Sequence, residues 1–164
     1  MATSRITLLL ACFVLGTLTY VWFGPGLASA APQLTLTTLT GDKIDTKELK
    51  GKPALINFWA TTCVTCIEEI PHLVELHHDY ADQGLKVITI AMYYDPPTQV
   101  QAFVNSRDLP YTVALDPQGI AAKSFGDVQL TPTTFLIDPQ GNIDTKKLGY
   151  LDMAALRTKI ETML

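Results

Sequence analysis

The sequence predicts an α/β domain built on a mixed β-sheet, and three observations carry the prediction. Short apolar runs, Ala54 to Ala60 and Lys86 to Met92, read as buried central strands. A helical pattern follows each of them, the alternation that gives parallel strands. Later, Thr133 to Ile137 runs into Asp138-Pro139-Gln140-Gly141, a β-turn signature, and Ile143 to Tyr150 reads as the hairpin partner. An antiparallel hairpin beside parallel strands makes the sheet mixed. The 164 residues, 48% of them apolar, suffice for one such domain and a short appendage.

The appendage comes first. Ile6 to Phe23 carries no charge, and its 18 residues would span about 27 Å as a helix, close to a hydrocarbon core of about 30 Å. Arg5 precedes it, so its N-terminal end would stay in the cytoplasm. Gly24-Pro25-Gly26 breaks the run, and Ala28-Ser29-Ala30 has the small-residue pattern of a signal-peptide cleavage site. The long run favours an uncleaved anchor; the breaker and the cleavage pattern favour a removed signal. Either exports the domain. Residues 1–30 are thus an anchor or signal, and 31–164 the domain. Cys12 follows Leu9-Leu10-Ala11, a loose lipoprotein box with a short core before it; a small apolar residue in a membrane helix is the simpler reading.

Each element of the domain has its own signal. Leu34, Leu36 and Leu39 alternate loosely with Thr, as in an edge strand, and Gly41-Asp42 turns the chain. Thr46 is placed to cap a short helix that Gly51 ends. A helix runs from Cys63 to about Asp82, with Ile67, Ile70, Leu73, Val74, Leu76 and Tyr80 facing inward; Gly84 stops it and Pro71 should kink it. Pro97 to Arg107 is helical, Tyr111 to Leu115 a strand, and Ile120 to Phe125 a short helix after the Asp116-Pro117-Gln118-Gly119 turn. Asp152 caps a last helix through Met163.

Charge and cysteine usage narrow the chemistry. Arg5 is the only charged residue among the first 30, so residues 31–164 hold 11 basic and 16 acidic side chains, a net of −5. Such a domain has no electrostatic footprint for nucleic acid. Cys63-Val64-Thr65-Cys66 sits between a buried strand and a helix, which offers a thiol to a helix N-terminus. Free N–H groups and the helix dipole stabilise a thiolate there, the form that attacks disulfides. Thiol–disulfide exchange is therefore one reading, and half a zinc site or a static disulfide are the others. Zinc would need two further ligands. His72, His77 and His78 share one helix without i,i+4 spacing and read as solvated flank positions.

Phe58-Trp59-Ala60-x-x-Cys63-x-x-Cys66, followed by Thr131-Pro132-Thr133-Thr134-Phe135-Leu136-Ile137-Asp138, resembles the thioredoxin fold, a central mixed sheet flanked by helices. Within it, Ala31-Pro32-Gln33-Leu34-Thr35-Leu36, Leu49-Lys50-Gly51-Lys52-Pro53 and Asp138-Pro139-Gln140-Gly141 are similar to the membrane-tethered TlpA/ResA-type thiol–disulfide oxidoreductases of bacterial envelopes. The resemblance implies a redox-active Cys63–Cys66 disulfide, with Cys63 the attacking thiol and Cys66 the buried resolving one. It implies a cis bond at Pro132, leaving the Thr131 backbone to pair with an incoming chain. It implies an active-site role for Glu69, one turn from Cys66, as a carboxylate that raises a thiol pKa or accepts its proton. Trp59 would shield the cysteines or simply pack, and the surface around Thr62 would meet the partner. Asn57 replaces the buried aspartate of thioredoxin itself.

Three departures stand out. Thr62 takes the place of a tryptophan and Thr65 that of a proline, and Val128-Gln129-Leu130-Thr131 lacks the pattern of the dedicated cytochrome c maturation thioredoxins. The resemblance implies a monomeric periplasmic enzyme, held to the inner membrane or released near Ala30, with no cofactor or metal. Its substrates would be protein disulfides, of apocytochrome c or of metal-site cysteines, and a membrane thiol–disulfide electron-transfer protein would re-reduce it. An oxidant or isomerase of the same fold and a tethered metal or haem chaperone are the rival classes. A peroxidase is disfavoured because residue 60 is alanine, where that chemistry uses threonine.

Overall fold

A computed structural model describes residues 29–164. The expected helix over Ile6 to Phe23, and Cys12 with it, lie outside the described residues. Among those described, no helix is long and apolar enough to cross a membrane.

The strands are β1 (Ser29–Ala30), β2 (Thr35–Thr38), β3 (Lys43–Asp45), β4 (Ala54–Trp59), β5 (Lys86–Ala91), β6 (Thr112–Leu115), β7 (Thr133–Ile137) and β8 (Asn142–Leu148). They form one sheet in the order β1-β8-β7-β4-β5-β6-β2-β3. β4, β5 and β6 pair in parallel; the other pairings are antiparallel, so the sheet is mixed as expected. The helices are α1 (Val64–Tyr80), α2 (Pro97–Arg107), α3 (Ile120–Ser124) and α4 (Met153–Met163).

Every residue of β4 is buried, because the strand is central and both its faces are covered. Ile56 and Phe58 point to one side, where Phe58, Phe125 and Phe135 meet edge-on or tilted with centroids 4.9–6.0 Å apart. Leu55 and Trp59 point to the other, against Leu73 and Leu76 of α1 and Leu156 and Ile160 of α4. The site therefore stands at the tip of the most buried strand, on a helix packed along its length.

Several expectations need correction. β2 is not an edge strand: β3, which the sequence reading lacked, covers its outer side. Ser29 and Ala30 pair with Ile143 and Asn142 of β8, so the sheet takes in residues placed before the domain boundary. Asp45, not Thr46, caps the 3-10 turn at Thr46–Leu49, accepting from the Lys47 N–H at 2.9 Å. The Thr46 hydroxyl instead accepts from Leu34 N–H and donates to Pro32 O, tying β2 to the turn. Helix α1 continues through Pro71 to Tyr80, and Gly84 beyond it has φ 119°, a conformation that suits glycine. His77 is half-buried rather than solvated, beside Tyr111, with its Nδ1 unpaired. Burial, and then the neighbouring His78, lower its pKa.

Candidate active site

β4 ends at Trp59, and a turn closed by Cys63 N–H donating to Ala60 O at 3.1 Å leads into α1. Cys63 is the N-cap of α1, and its sulfur accepts the Cys66 N–H at 3.2 Å, in place of the usual side-chain oxygen. The two cysteines form a disulfide with a Cα–Cα distance of 5.2 Å. Cys63 is half-buried, whereas Cys66 is 3% exposed. Cys66 lines a narrow space with Asn57, Trp59, Ile70 and Leu73 that has no room for water. One sulfur is within reach of a partner and the other is not. On reduction, the helix N-terminus would stabilise a thiolate at Cys63.

The second wall comes from β7. Phe58 pairs with Thr133, so the residues after β4 and before β7 lie at the same end of neighbouring strands. The Thr131–Pro132 bond is cis, as the resemblance implied. The ladders on both sides of β7 begin at Thr133. Among the described residues, neither the N–H nor the C=O of Thr131 has a hydrogen-bond partner. An extended chain could bond there as an added strand.

Glu69 is 2% exposed, one helical turn from Cys66. Its Oε1 accepts the Leu151 N–H at 2.6 Å, while its Oε2 is buried without a partner. Burial raises its pKa above the ordinary 4.5; the Leu151 bond and the nearby His72 pull the other way. A carboxyl held so has reason to take up a proton, which suits a proton acceptor beside a buried thiol. The connection from β8 to α4 supports it. Gly149 N–H donates to Pro132 O at 2.9 Å, the Tyr150 hydroxyl donates to Glu68 Oε2, and Leu151 holds Glu69. Three consecutive residues thus link the cis-proline to the cysteine-bearing helix. The Glu68 carboxylate holds the Tyr150 phenol above its usual pKa, with Thr65 acting against it.

The remaining expected residues divide. Thr62 is exposed and Thr131 half-buried. Trp59 is 3% exposed and stacks at a tilt on Phe103, centroids 5.3 Å apart, so it packs behind the disulfide and offers a partner no surface. Asn57 donates to Thr134 Oγ1 at 2.9 Å and supplies no carboxylate. Among the described residues no three His, Cys, Asp or Glu side chains cluster as metal ligands. Two contributors escaped the sequence reading: the Leu151 amide, which carries no side-chain signal, and Asp95, a buried acid that holds Thr61.

A family model described as AhpC/TSA matches residues 27–146. The thiol–disulfide oxidoreductase ResA of Bacillus thuringiensis subsp. konkukian (strain 97-27) is 38% identical over 113 residues, 69% of this chain; the match spans just under two thirds of that relative, 64% of its length. ResA of Bacillus anthracis is 36% identical over 119 residues, 73% of this chain and 68% of its own. Among solved structures, a thiol:disulfide interchange protein of the thioredoxin family from Chlorobium tepidum TLS superposes with a TM-score of 0.76 at 25% identity, covering 85% of this chain and 99% of that one. The chain belongs to the AhpC/TSA family and, within it, to the ResA-type thiol–disulfide oxidoreductases with a thioredoxin-like fold.

Proposed function

We propose that this protein reduces disulfides of extracytoplasmic proteins through Cys63 and Cys66. The observation that carries the reading is the asymmetry of the pair: one sulfur accessible at a helix N-terminus, the other sealed beside a buried carboxyl. In the dithiol form, the Cys63 thiolate attacks one sulfur of a substrate disulfide. That bond breaks, a mixed disulfide forms, and the other substrate sulfur leaves as a thiolate. Cys66 passes its proton to Glu69 and attacks the Cys63 sulfur, releasing the second substrate sulfur. Two electrons have moved to the substrate, and the protein is left as the Cys63–Cys66 disulfide.

The open Thr131 backbone would bind the segment around the substrate cysteine, with Thr62 alongside. In an oxidising compartment the cycle needs a reductant, for which a membrane thiol–disulfide electron-transfer protein is the fitting class. Cysteines of apocytochrome c or of metal sites are the candidate substrates. The apolar run Ile6 to Phe23 would export the monomeric domain and anchor it at the inner membrane.

The test is disulfide reduction by the soluble domain, with Cys63→Ser and Cys66→Ser beside it. Loss of turnover in both, with a trapped mixed disulfide only in Cys66→Ser, is expected; full activity in Cys63→Ser would sink the mechanism. An oxidant role is the second reading, favoured by the N-cap position of Cys63, since a stabilised thiolate makes the disulfide oxidising. The reduction potential separates the two.

A further inference from the structure

Asp95, in the loop between β5 and α2, is a buried acid that the exchange steps above do not use. It is 5% exposed, yet it forms no ion pair among the described residues and caps no helix. Both its oxygens point to one residue. Oδ2 accepts the Thr61 N–H at 2.5 Å, and Oδ1 accepts the Thr61 hydroxyl at 2.7 Å. The direction of the second bond follows from its neighbour. Gln99 Nε2 donates to the same hydroxyl at 2.6 Å, which leaves the hydroxyl proton for Asp95. Both Asp95 oxygens therefore act as acceptors.

Thr61 is the second residue of the turn that delivers Cys63. Its peptide N–H binds Asp95, and the carbonyl of that peptide, Ala60 O, accepts the Cys63 N–H at 3.1 Å. Covalent geometry therefore fixes the carboxylate within about 8 Å of the Cys63 amide, about one Debye length at physiological salt. Other ionisable groups at this end of the molecule include Tyr93 and Tyr94 directly before Asp95, Asp116 after β6, Glu68, Glu69 and His72 on α1, Lys147 on β8 and Tyr150 after β8. None of the described ion pairs joins a lysine or arginine to Asp95.

We infer that Asp95 is a positioning residue of the redox centre, which braces the Thr61–Cys63 turn and whose fixed negative charge biases the pair toward the disulfide. The inference rests on the exchange reading for its purpose, though not for its measurement. A negative charge opposes a thiolate at Cys63, so it disfavours the reduced form and makes the dithiol a better electron donor. The helix N-terminus acts in the opposite sense. Asp95 is the counterweight that suits a reductase.

The experiment equilibrates the full-length chain with reduced and oxidised glutathione at neutral pH and measures the Cys63–Cys66 dithiol fraction, with no protein substrate present. Asp95→Asn removes the charge and keeps an acceptor for Thr61. It should shift the equilibrium toward the dithiol by about fivefold and speed alkylation of Cys63 at neutral pH. Thr61→Val removes the hydroxyl but leaves the carboxylate and the N–H bond, and should keep the parental equilibrium. An unchanged equilibrium in folded Asp95→Asn would overturn the inference, as would an equal shift in Thr61→Val. If Asp95→Asn does not fold, Asp95→Ser, which also keeps an acceptor without the charge, takes its place with the same expectations. Failure of the function itself would look different: Cys63→Ser would stay active on protein disulfides whatever Asp95 does to the glutathione equilibrium.

Discussion

Two buried carboxyls flank the disulfide, and the fold treats them in opposite ways. Asp95 has both oxygens satisfied by one neighbour. Glu69 has one oxygen bonded to the Leu151 amide and the other buried without a partner, so its charge is costly. The first resembles a permanent electrode and the second a proton store. Burial alone decides neither role; the hydrogen-bond partners do.

Removing the proton store should have the largest effect. Glu69→Gln keeps the shape but cannot take the Cys66 proton, so the resolving step should slow by about a hundredfold, the usual scale of a lost general base. Rapid-mix trapping of the mixed disulfide would measure it; an unchanged rate would remove Glu69 from the mechanism. Next comes the brace. Asp95→Ala leaves the Thr61 N–H and hydroxyl without their acceptor and should cost about 1–3 kcal/mol in chemical denaturation. A loss near zero would mean that water replaces the carboxylate freely.

The contrast also has a pH signature. The pKa of Glu69 lies above its ordinary 4.5 in the folded protein, so folding favours its protonated form. Its contribution to stability is complete below about 4.5 and is lost as pH rises through the higher folded value. Glu69→Gln should therefore remove the decline in melting temperature that Glu69 imposes as pH rises above about 4.5, so the difference between parent and variant should change with pH. Parallel curves would contradict the assignment. The smallest effect belongs to the strap. Tyr150→Phe loses one exposed bond to Glu68 and should leave the melting temperature and turnover nearly unchanged; a clear loss of either would make Tyr150 a principal support of the site.

The sequence was most informative where chemistry is local. Cys63 and Cys66 announce themselves by spacing, β4 by an unbroken apolar run, and Pro132 by its place before a buried strand. α2 and α4 begin and end as read, the latter because Asp152 caps it through Ala155 N–H. What stayed hidden is non-local or lacks a side-chain signal. The Leu151 amide meets Glu69 across 82 residues, and Asp95 meets Thr61 across 34. Asp95 precedes Pro96-Pro97 in a stretch that reads as a plain turn. The short strands β1 and β3 have no periodicity to detect, and Thr46 has two possible uses that only the packing of β2 distinguishes.

Strand β1 has a geometric consequence for anything joined to the N-terminal side of the domain. It pairs with Asn142 and Ile143, at the opposite end of β8 from Leu148, and Leu148 lies beside Thr133 at the redox tip. An attachment through Ser29 therefore meets the domain at its outer rim, remote from the cysteines. A chain segment joined there would leave the reactive pole of the domain unobstructed.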